Sequence, residues 1–138
     1  MSLRSAALAI VALVAAGAAR AETLHFTATL TGADEVPANT TTGHGVFTAE
    51  LETSEKVLTY RATYSGLTGP AVAAHIHGPA APGANAPPIV MVKDASGPIW
   101  GTAILTDAQI ADLMAGRLYF NIHTQANPGG EIRGQVTK

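Results

Sequence analysis

Three histidines have the side-chain chemistry and the spacing to bind one metal ion. His75 and His77 are two positions apart, and His123 lies in a later segment of similar character. Side chains at positions i and i+2 of a β-strand point to the same face, roughly 7 Å apart, so two imidazoles can reach one ion. Zinc and copper both accept three imidazole ligands. The residues therefore predict a metal site made by His75, His77 and His123, with copper as the first candidate and zinc as the second.

A repeated motif places two of these histidines in equivalent positions. The pattern Ile-His-x4-Pro-Gly begins at Ile76 and again at Ile122, so each histidine comes just before a loop with Pro and Gly. The alternative is that all three are ordinary polar-face histidines that hydrogen-bond to loop carbonyls and hold the loops in place. Because imidazole must be neutral to bind a metal, a metal site predicts that affinity falls as the pH drops through about 6.5.

Three further side chains are candidate ligands by their type. His25 and His44 could each supply a fourth nitrogen, although the position of each in the sequence favours the surface. Met91 carries a thioether that copper accepts, but it lies in the continuous apolar run 89–92. That run predicts a core position for Met91 and no role at the metal.

The histidines must be positioned by β-strands, because most of the chain alternates between apolar and polar residues. Residues 24–31, for example, follow the two-residue period of a half-buried strand until Gly32 ends it. Two facing layers allow such strands to bury one side each, so the predicted fold is an all-β, antiparallel, Greek-key-like β-sandwich with one short helix. The predicted strands are 24–31, 46–52, 58–64, 72–77, 89–93, 99–105, 118–124 and 131–137.

One segment departs from this pattern and carries helix signals. Thr106 can cap a helix, and Gln109 lies at the third helical position as its partner in a capping box. Gly116 supplies a terminating residue. These signals predict a helix over 107–115 that plugs one end of the sandwich. Its apolar stripe would consist of Ile110, Leu113 and Met114.

The N-terminal segment has the features of an export signal. Arg4 precedes an apolar run over 6–18, and Ala19-Arg20-Ala21 is a small-x-small cleavage signal. We therefore predict a signal peptide over 1–21 and a single domain over 22–138, located in the periplasm or secreted. The apolar run over 6–18 is shorter than the about 20 residues that span a bilayer, and no later segment comes close, so no membrane span is predicted.

Composition excludes several classes of function. After removal of the signal, six Lys and Arg stand against ten Asp and Glu, a net charge of −4, which disfavours nucleic-acid binding. The chain has no cysteine, which excludes disulfides, thiolate nucleophiles and thiolate metal sites. The partners predicted are a metal ion and, in the alternative, an extracellular or periplasmic protein.

Signals of catalysis are weak, so an enzyme is not the favoured prediction. The sequence has no nucleophile elbow, no phosphate-binding glycine motif and no carboxylate pair placed for acid–base work. The pair Asp34-Glu35 precedes a proline and predicts a solvated turn. Glu131 and Arg133 would share one strand face, which predicts a structural ion pair or cross-strand bridge. The alternative places Arg133 beside the histidines as an anion guide.

A set of motifs in order along the chain resembles the CHRD domain, the module named after chordin. They are EVP at 35–37, GL at 66–67, AHIHGPA at 74–80, NIHT at 121–124 and PGGEIRGQ at 128–135. The match covers nearly all of the chain after the signal. The resemblance implies an exported all-β module, found in many bacterial proteins and, in tandem copies, in an animal extracellular signalling antagonist. It implies no common reaction.

The His-x-His strand followed by a later strand histidine is also similar to the copper-binding pattern of copper-zinc superoxide dismutase. On that analogy His75, His77 and His123 would be copper ligands. The chain lacks the cysteine pair of that family and a zinc loop rich in histidine and aspartate, so the analogy does not carry the activity over. The expected function is metal binding, storage or delivery. The alternatives are a metal-free extracellular protein-interaction module and, less favoured, a copper redox enzyme.

Overall fold

The computed structural model describes residues 20–138, and this part of the chain forms eight strands and one helix. The elements are β1 (Thr23–Thr31), β2 (His44–Glu52), β3 (Val57–Ser65), β4 (Ala71–His77), β5 (Pro88–Met91), β6 (Ile99–Ile104), α1 (Asp107–Met114), β7 (Tyr119–Thr124) and β8 (Ile132–Gln135). Each predicted strand and the predicted helix are confirmed, with ends that differ by no more than two residues. The predicted signal peptide, 1–21, lies almost entirely outside the described residues.

The strands form one continuous antiparallel sheet in the order β5-β4-β7-β8-β1-β2-β3-β6. Strands β5 and β6 are its two edges. The prediction of an all-β antiparallel fold with one short helix is confirmed. The facing layers expected of a sandwich are here parts of a single sheet that curves nearly into a barrel.

The apolar face of this sheet encloses one core. Phe47 of β2 stacks on Phe120 of β7 with ring centroids 4.6 Å apart, although two strands lie between β2 and β7 in the sheet. Side chains this far apart along a flat sheet would not touch, so the contact requires strong curvature. Leu30, Leu51 and Ile122 are fully buried in the same cluster. The curved sheet therefore shields alternate residues of every central strand from water.

Helix α1 begins with the predicted cap. The Thr106 hydroxyl accepts from the Gln109 backbone N–H, and the Gln109 side chain accepts from the Thr106 backbone N–H, which completes the capping box. Leu113 is the buried residue of the helix, whereas Met114 is 44% exposed, so the apolar stripe is narrower than predicted. No helix among residues 20–138 is both long enough and apolar enough to cross a membrane.

Strand β8 can lie close to β1 because residue 134 is a glycine. A Cβ atom at Gly134 would collide with the backbone carbonyl oxygen of Thr29. Just beyond β8, the backbones of Thr27 and Thr137 exchange two hydrogen bonds, of 2.8 and 3.0 Å. Strand β8 thereby joins the half of the sheet that carries the histidines to the half built from β1, β2, β3 and β6.

Candidate metal centre

Strands β4 and β7 bring the three predicted ligands to the outer face of the sheet. The two strands are hydrogen-bonded neighbours, and paired residues point to the same side. Alternate residues such as Ile76 and Phe120 point into the core instead. The outward pairs are Ala73 with His123, His75 with Asn121, and His77 with Tyr119.

The three imidazoles converge on one point. One ring nitrogen of each of His75, His77 and His123 lies within 4.8 Å of the corresponding nitrogens of the other two. The shortest separation joins His75 Nδ1 to His123 Nε2, at 3.0 Å. His25 and His44 do not join this group: His25 lies 3.5 Å from Glu50, and His44 contacts the Thr42 carbonyl and Ser65.

The outer face at this point is buried, because loops fold over it. His77 and His123 are each 8% exposed and Asn121 is 3% exposed, so β7 is buried on both faces. The covering segments are the Pro-rich loop between β4 and β5 and the loop between β7 and β8. His75 is the most accessible of the three histidines, at intermediate burial. The site therefore lies below the surface, and His75 is its most accessible residue.

Loop carbonyls fix the protonation of two rings. His77 Nδ1 lies 2.8 Å from the Ala86 carbonyl oxygen, and His123 Nδ1 lies 2.9 Å from that of Pro128. Because a carbonyl only accepts, each Nδ1 carries the hydrogen, and in the neutral ring Nε2 keeps its lone pair. Carbonyls that orient the distant nitrogen in this way are typical of metal-bound histidines. The same bonds also hold the loops, as the metal-free alternative predicts.

Burial keeps His75 and His77 neutral. Desolvation, with smaller contributions from His123 and His77, lowers the pKa of His75 to about 4. Desolvation also lowers the pKa of His77, although its hydrogen bonds to Ala86 and Asn121 oppose the shift. Protons therefore compete for His75 only well below the pH of about 6.5 expected from the sequence.

Arg133 supports His77 indirectly, through the ring of Tyr119. The Tyr119 ring stacks on His77 with centroids 4.7 Å apart and 5° between the planes, and the Arg133 guanidinium lies 3.4 Å from the Tyr119 centroid. Arg133 also donates to the Asn85 side chain at 3.1 Å and to the Ala84 carbonyl at 2.8 Å. It is 1% exposed, so its role is to fasten the Pro-rich loop and the stack, not to guide a solute anion.

The predicted pairing of Glu131 with Arg133 is wrong, because Glu131 accepts five hydrogen bonds from other groups. The donors are Thr41 Oγ1, the Thr68 backbone N–H, Thr68 Oγ1, Thr124 Oγ1 and Asn127 Nδ2, at 2.6 to 3.2 Å. Burial acts to raise the pKa of Glu131, but bonds from Thr124, Thr41 and Thr68 outweigh it and lower the pKa to about 2. Glu131 is thus a buried carboxylate that ties four segments together.

The predicted solvated turn at Asp34-Glu35 is correct for Asp34 and wrong for Glu35. Glu35 is 5% exposed, and its Oε1 atom has no hydrogen-bond partner among the described residues. Desolvation raises its pKa to about 7, opposed by Arg133, by the Val36 backbone N–H and by Asn121. Glu35 therefore lies next to both Asn121 and Arg133.

We expect Glu35→Gln to stabilise the protein above neutral pH. The pKa of the wild-type carboxyl is near 4.5 in the unfolded chain and about 7 in the folded protein. The stability that the protonated carboxyl contributes is therefore complete below pH 4.5 and is lost as the pH rises through 7. At pH 8 the variant should be more stable by about 2 kcal/mol, and at pH 4 the difference should vanish. Urea unfolding at both pH values measures this. The exposed neighbour variant Asp34→Asn is the control, and equal effects of the two substitutions would contradict the prediction.

Comparison with family models gives one match. The model of the CHRD domain matches residues 26–136, which includes all eight strands except the first residues of β1. No curated protein and no solved structure matches the chain.

Proposed function

The chain belongs to the CHRD domain family, and we propose that this member is an exported domain that binds a transition metal through His75, His77 and His123. Copper is the first candidate and zinc the second. Membership in the family supports an extracellular type of domain, and the leader-like sequence at 1–21 favours the periplasm or secretion. The observation that carries the proposal is the convergence of three imidazoles on one buried point.

The spacing of the nitrogens suits one ion. Metal–imidazole bonds are about 2.0–2.1 Å long, so two nitrogens on one ion lie roughly 3–4 Å apart. His75 Nδ1 and His123 Nε2 are 3.0 Å apart, within this range. All three nitrogens lie within 4.8 Å, so small rotations of the side chains suffice to close the set. Burial lowers the pKa of His75 to about 4 and also lowers the pKa of His77, which reduces proton competition at neutral pH.

The proposed role is binding, storage or delivery of the metal. Two of the proposed ligands lie beneath loops and the third, His75, is only half-buried, which suits a held ion that is later passed to an acceptor. Within residues 20–138, the charged neighbours Glu35 and Arg133 are both buried, so neither offers an exposed acid or base to a substrate. A carrier needs only affinity and access.

Metal titration of the purified protein tests the proposal. Cu(II), Cu(I) and Zn(II) are titrated against competing chelators, with His75→Ala, His77→Ala and His123→Ala compared with the exposed-histidine control His25→Ala. Each of the three substitutions should weaken binding at least tenfold, and the control should leave it unchanged. Bound metal should also raise the thermal midpoint by mass action. If the three variants bind as tightly as the control, the site is elsewhere or absent.

The metal-free interaction module is the second candidate, and the free edge of the sheet favours it. Among the strands of the described part of the chain, β6 pairs with β3 alone, and its Trp100 and Ile104 are 80% and 79% exposed. An open edge with large apolar side chains can accept another strand. This candidate predicts that chelators leave both the thermal midpoint and partner binding unchanged. The copper redox alternative instead predicts superoxide or peroxide turnover by the loaded protein above that of free copper.

A further inference from the structure

The side chain of Asn121 lies between two of the histidines, closer to both than they are to each other. Its Oδ1 atom is 3.0 Å from His77 Nε2 and 3.0 Å from His123 Nε2. Asn121 is 3% exposed and directly opposite His75 in the β4–β7 register, so the strand pairing holds it at this place. It was not among the ligands predicted from the sequence.

Most of the atoms that meet here are hydrogen-bond acceptors. His77 and His123 use Nδ1–H on the loop carbonyls of Ala86 and Pro128, which leaves a lone pair on each Nε2. His75 Nδ1 can donate to His123 Nε2. His77 Nε2 and Asn121 Oδ1 then still face each other at hydrogen-bond distance with lone pairs on both atoms. A cation bound among these atoms would turn that repulsion into coordination.

We infer that Asn121 is the fourth ligand of the site, binding through Oδ1 and completing a set of three nitrogens and one oxygen. The inference rests on the proposed three-histidine site and adds a residue and a selectivity to it. Nitrogen and oxygen donors suit Cu(II) and Zn(II), whereas Cu(I) is favoured by sulfur ligands. The site therefore selects divalent ions.

The first alternative is that the sulfur of Met91, and not Asn121, supplies the fourth ligand. The predicted core position of Met91 is wrong: Met91 is 66% exposed, because it pairs with His75 and points to the outer face of the sheet. Paired residues share a face, so the thioether starts next to the site. A site completed by Met91 would favour Cu(I), the opposite selectivity.

The second alternative is that the Asn121 amide is rotated, so that Nδ2 and Oδ1 exchange places. With Nδ2 toward both Nε2 atoms, Asn121 would donate hydrogen bonds to the histidines and would not bind a metal. Asn121→Asp separates the two roles, because a carboxylate can bind a metal but cannot donate. Asn121→Ala removes both roles. Gln125→Glu, at an exposed position four residues later, is the matched control for the added charge.

The experiment measures the affinity of these variants and of Met91→Leu for Cu(II), Zn(II) and Cu(I), with electron paramagnetic resonance of the Cu(II) forms. Asn121→Ala should weaken Cu(II) and Zn(II) about tenfold and change Cu(I) by less than twofold. Asn121→Asp should bind the divalent ions at least as tightly as the wild type, with an altered Cu(II) spectrum. Gln125→Glu and Met91→Leu should resemble the wild type.

Three results would overturn the inference: Asn121→Asp as weak as Asn121→Ala, an unchanged affinity in both, or a loss of affinity in Met91→Leu. Circular dichroism and the thermal midpoint of each metal-free variant show whether it is folded. If Asn121→Ala does not fold, the Asn121→Asp comparison and its spectrum still decide. Failure of the histidine substitutions to weaken binding would instead reject the three-histidine site itself, so the two failures are distinct.

Discussion

Glu131→Gln should lower the free energy of unfolding by about 3 kcal/mol at pH 7. The carboxylate is fully buried and accepts five hydrogen bonds at 2.6 to 3.2 Å. A glutamine keeps the shape but replaces one charged acceptor oxygen with an NH2 group that faces donors. Two or three of the bonds are then lost, and the rest lose their charge-assisted strength.

Urea unfolding measures the effect, with Glu55→Gln as the exposed control. The control should leave the unfolding midpoint unchanged, since an exposed glutamate contributes little. A loss below about 1 kcal/mol in Glu131→Gln would mean that the threonine hydroxyls bond equally well to the amide.

Glu131 also predicts how stability depends on pH. The pKa of Glu131 is near 4.5 in the unfolded chain and about 2 in the folded protein. The stability that the carboxylate contributes is therefore complete above pH 4.5 and is lost as the pH falls through 2. Wild-type stability should therefore decline between pH 4.5 and 2, and this part of the decline should be absent in Glu131→Gln. Glu35 acts in the opposite direction between pH 4.5 and 7, so the two carboxyls are separable by pH.

Arg133→Met should destabilise the protein by about 3 kcal/mol and weaken metal binding about tenfold. Methionine fills much of the space of the aliphatic stem, but the Tyr119 ring loses its cation and the Ala84 carbonyl and Asn85 amide lose their donor. The Pro-rich loop is then released. Because Ala86 of that loop orients His77, the proposed metal site should loosen together with the fold.

The matched control is Arg61→Met, which removes an exposed arginine from β3. It should change neither stability nor affinity by a measurable amount. Arg133→Lys keeps the charge but not the planar two-donor geometry, so it should recover only part of the loss. If Arg133→Met and Arg61→Met unfold at the same urea concentration, the stack and the loop contacts contribute nothing to stability.

The sequence predicts the strands well, because their signal is local. The alternation around Phe26 and Leu30, the capping box at Thr106 and the His-x-His spacing each depend on neighbours within a few positions. The same alternation puts His123 and Asn121 on one face of β7, so the convergence of the histidines follows once β4 and β7 are neighbours. The pairing of β4 with β7 joins segments that are distant in the sequence, so local patterns do not predict it.

The parts that the sequence does not predict depend on which loop covers which face. Glu35 has the composition of a solvated turn, yet its loop folds against Asn121 and buries it. Met91 has the neighbours of a core residue, yet its register with His75 turns it to the outer face of the sheet. Glu131 is two residues from Arg133 and is expected from the sequence to share its strand face, yet it precedes β8 and bonds to threonines of distant loops. Polar side chains alone do not reveal such contacts.

The hydrogen-bond hub at Glu131 has a consequence for the order in which the chain acquires its structure. Its donors Thr41 and Thr68 precede it by 90 and 63 residues. Bringing residues this far apart together costs chain entropy before the hydrogen bonds form. Folds with many such long-range contacts therefore fold slowly. The early strands therefore cannot complete the sheet while the ribosome is still making the middle of the chain, and the domain closes only after β8 has been synthesised.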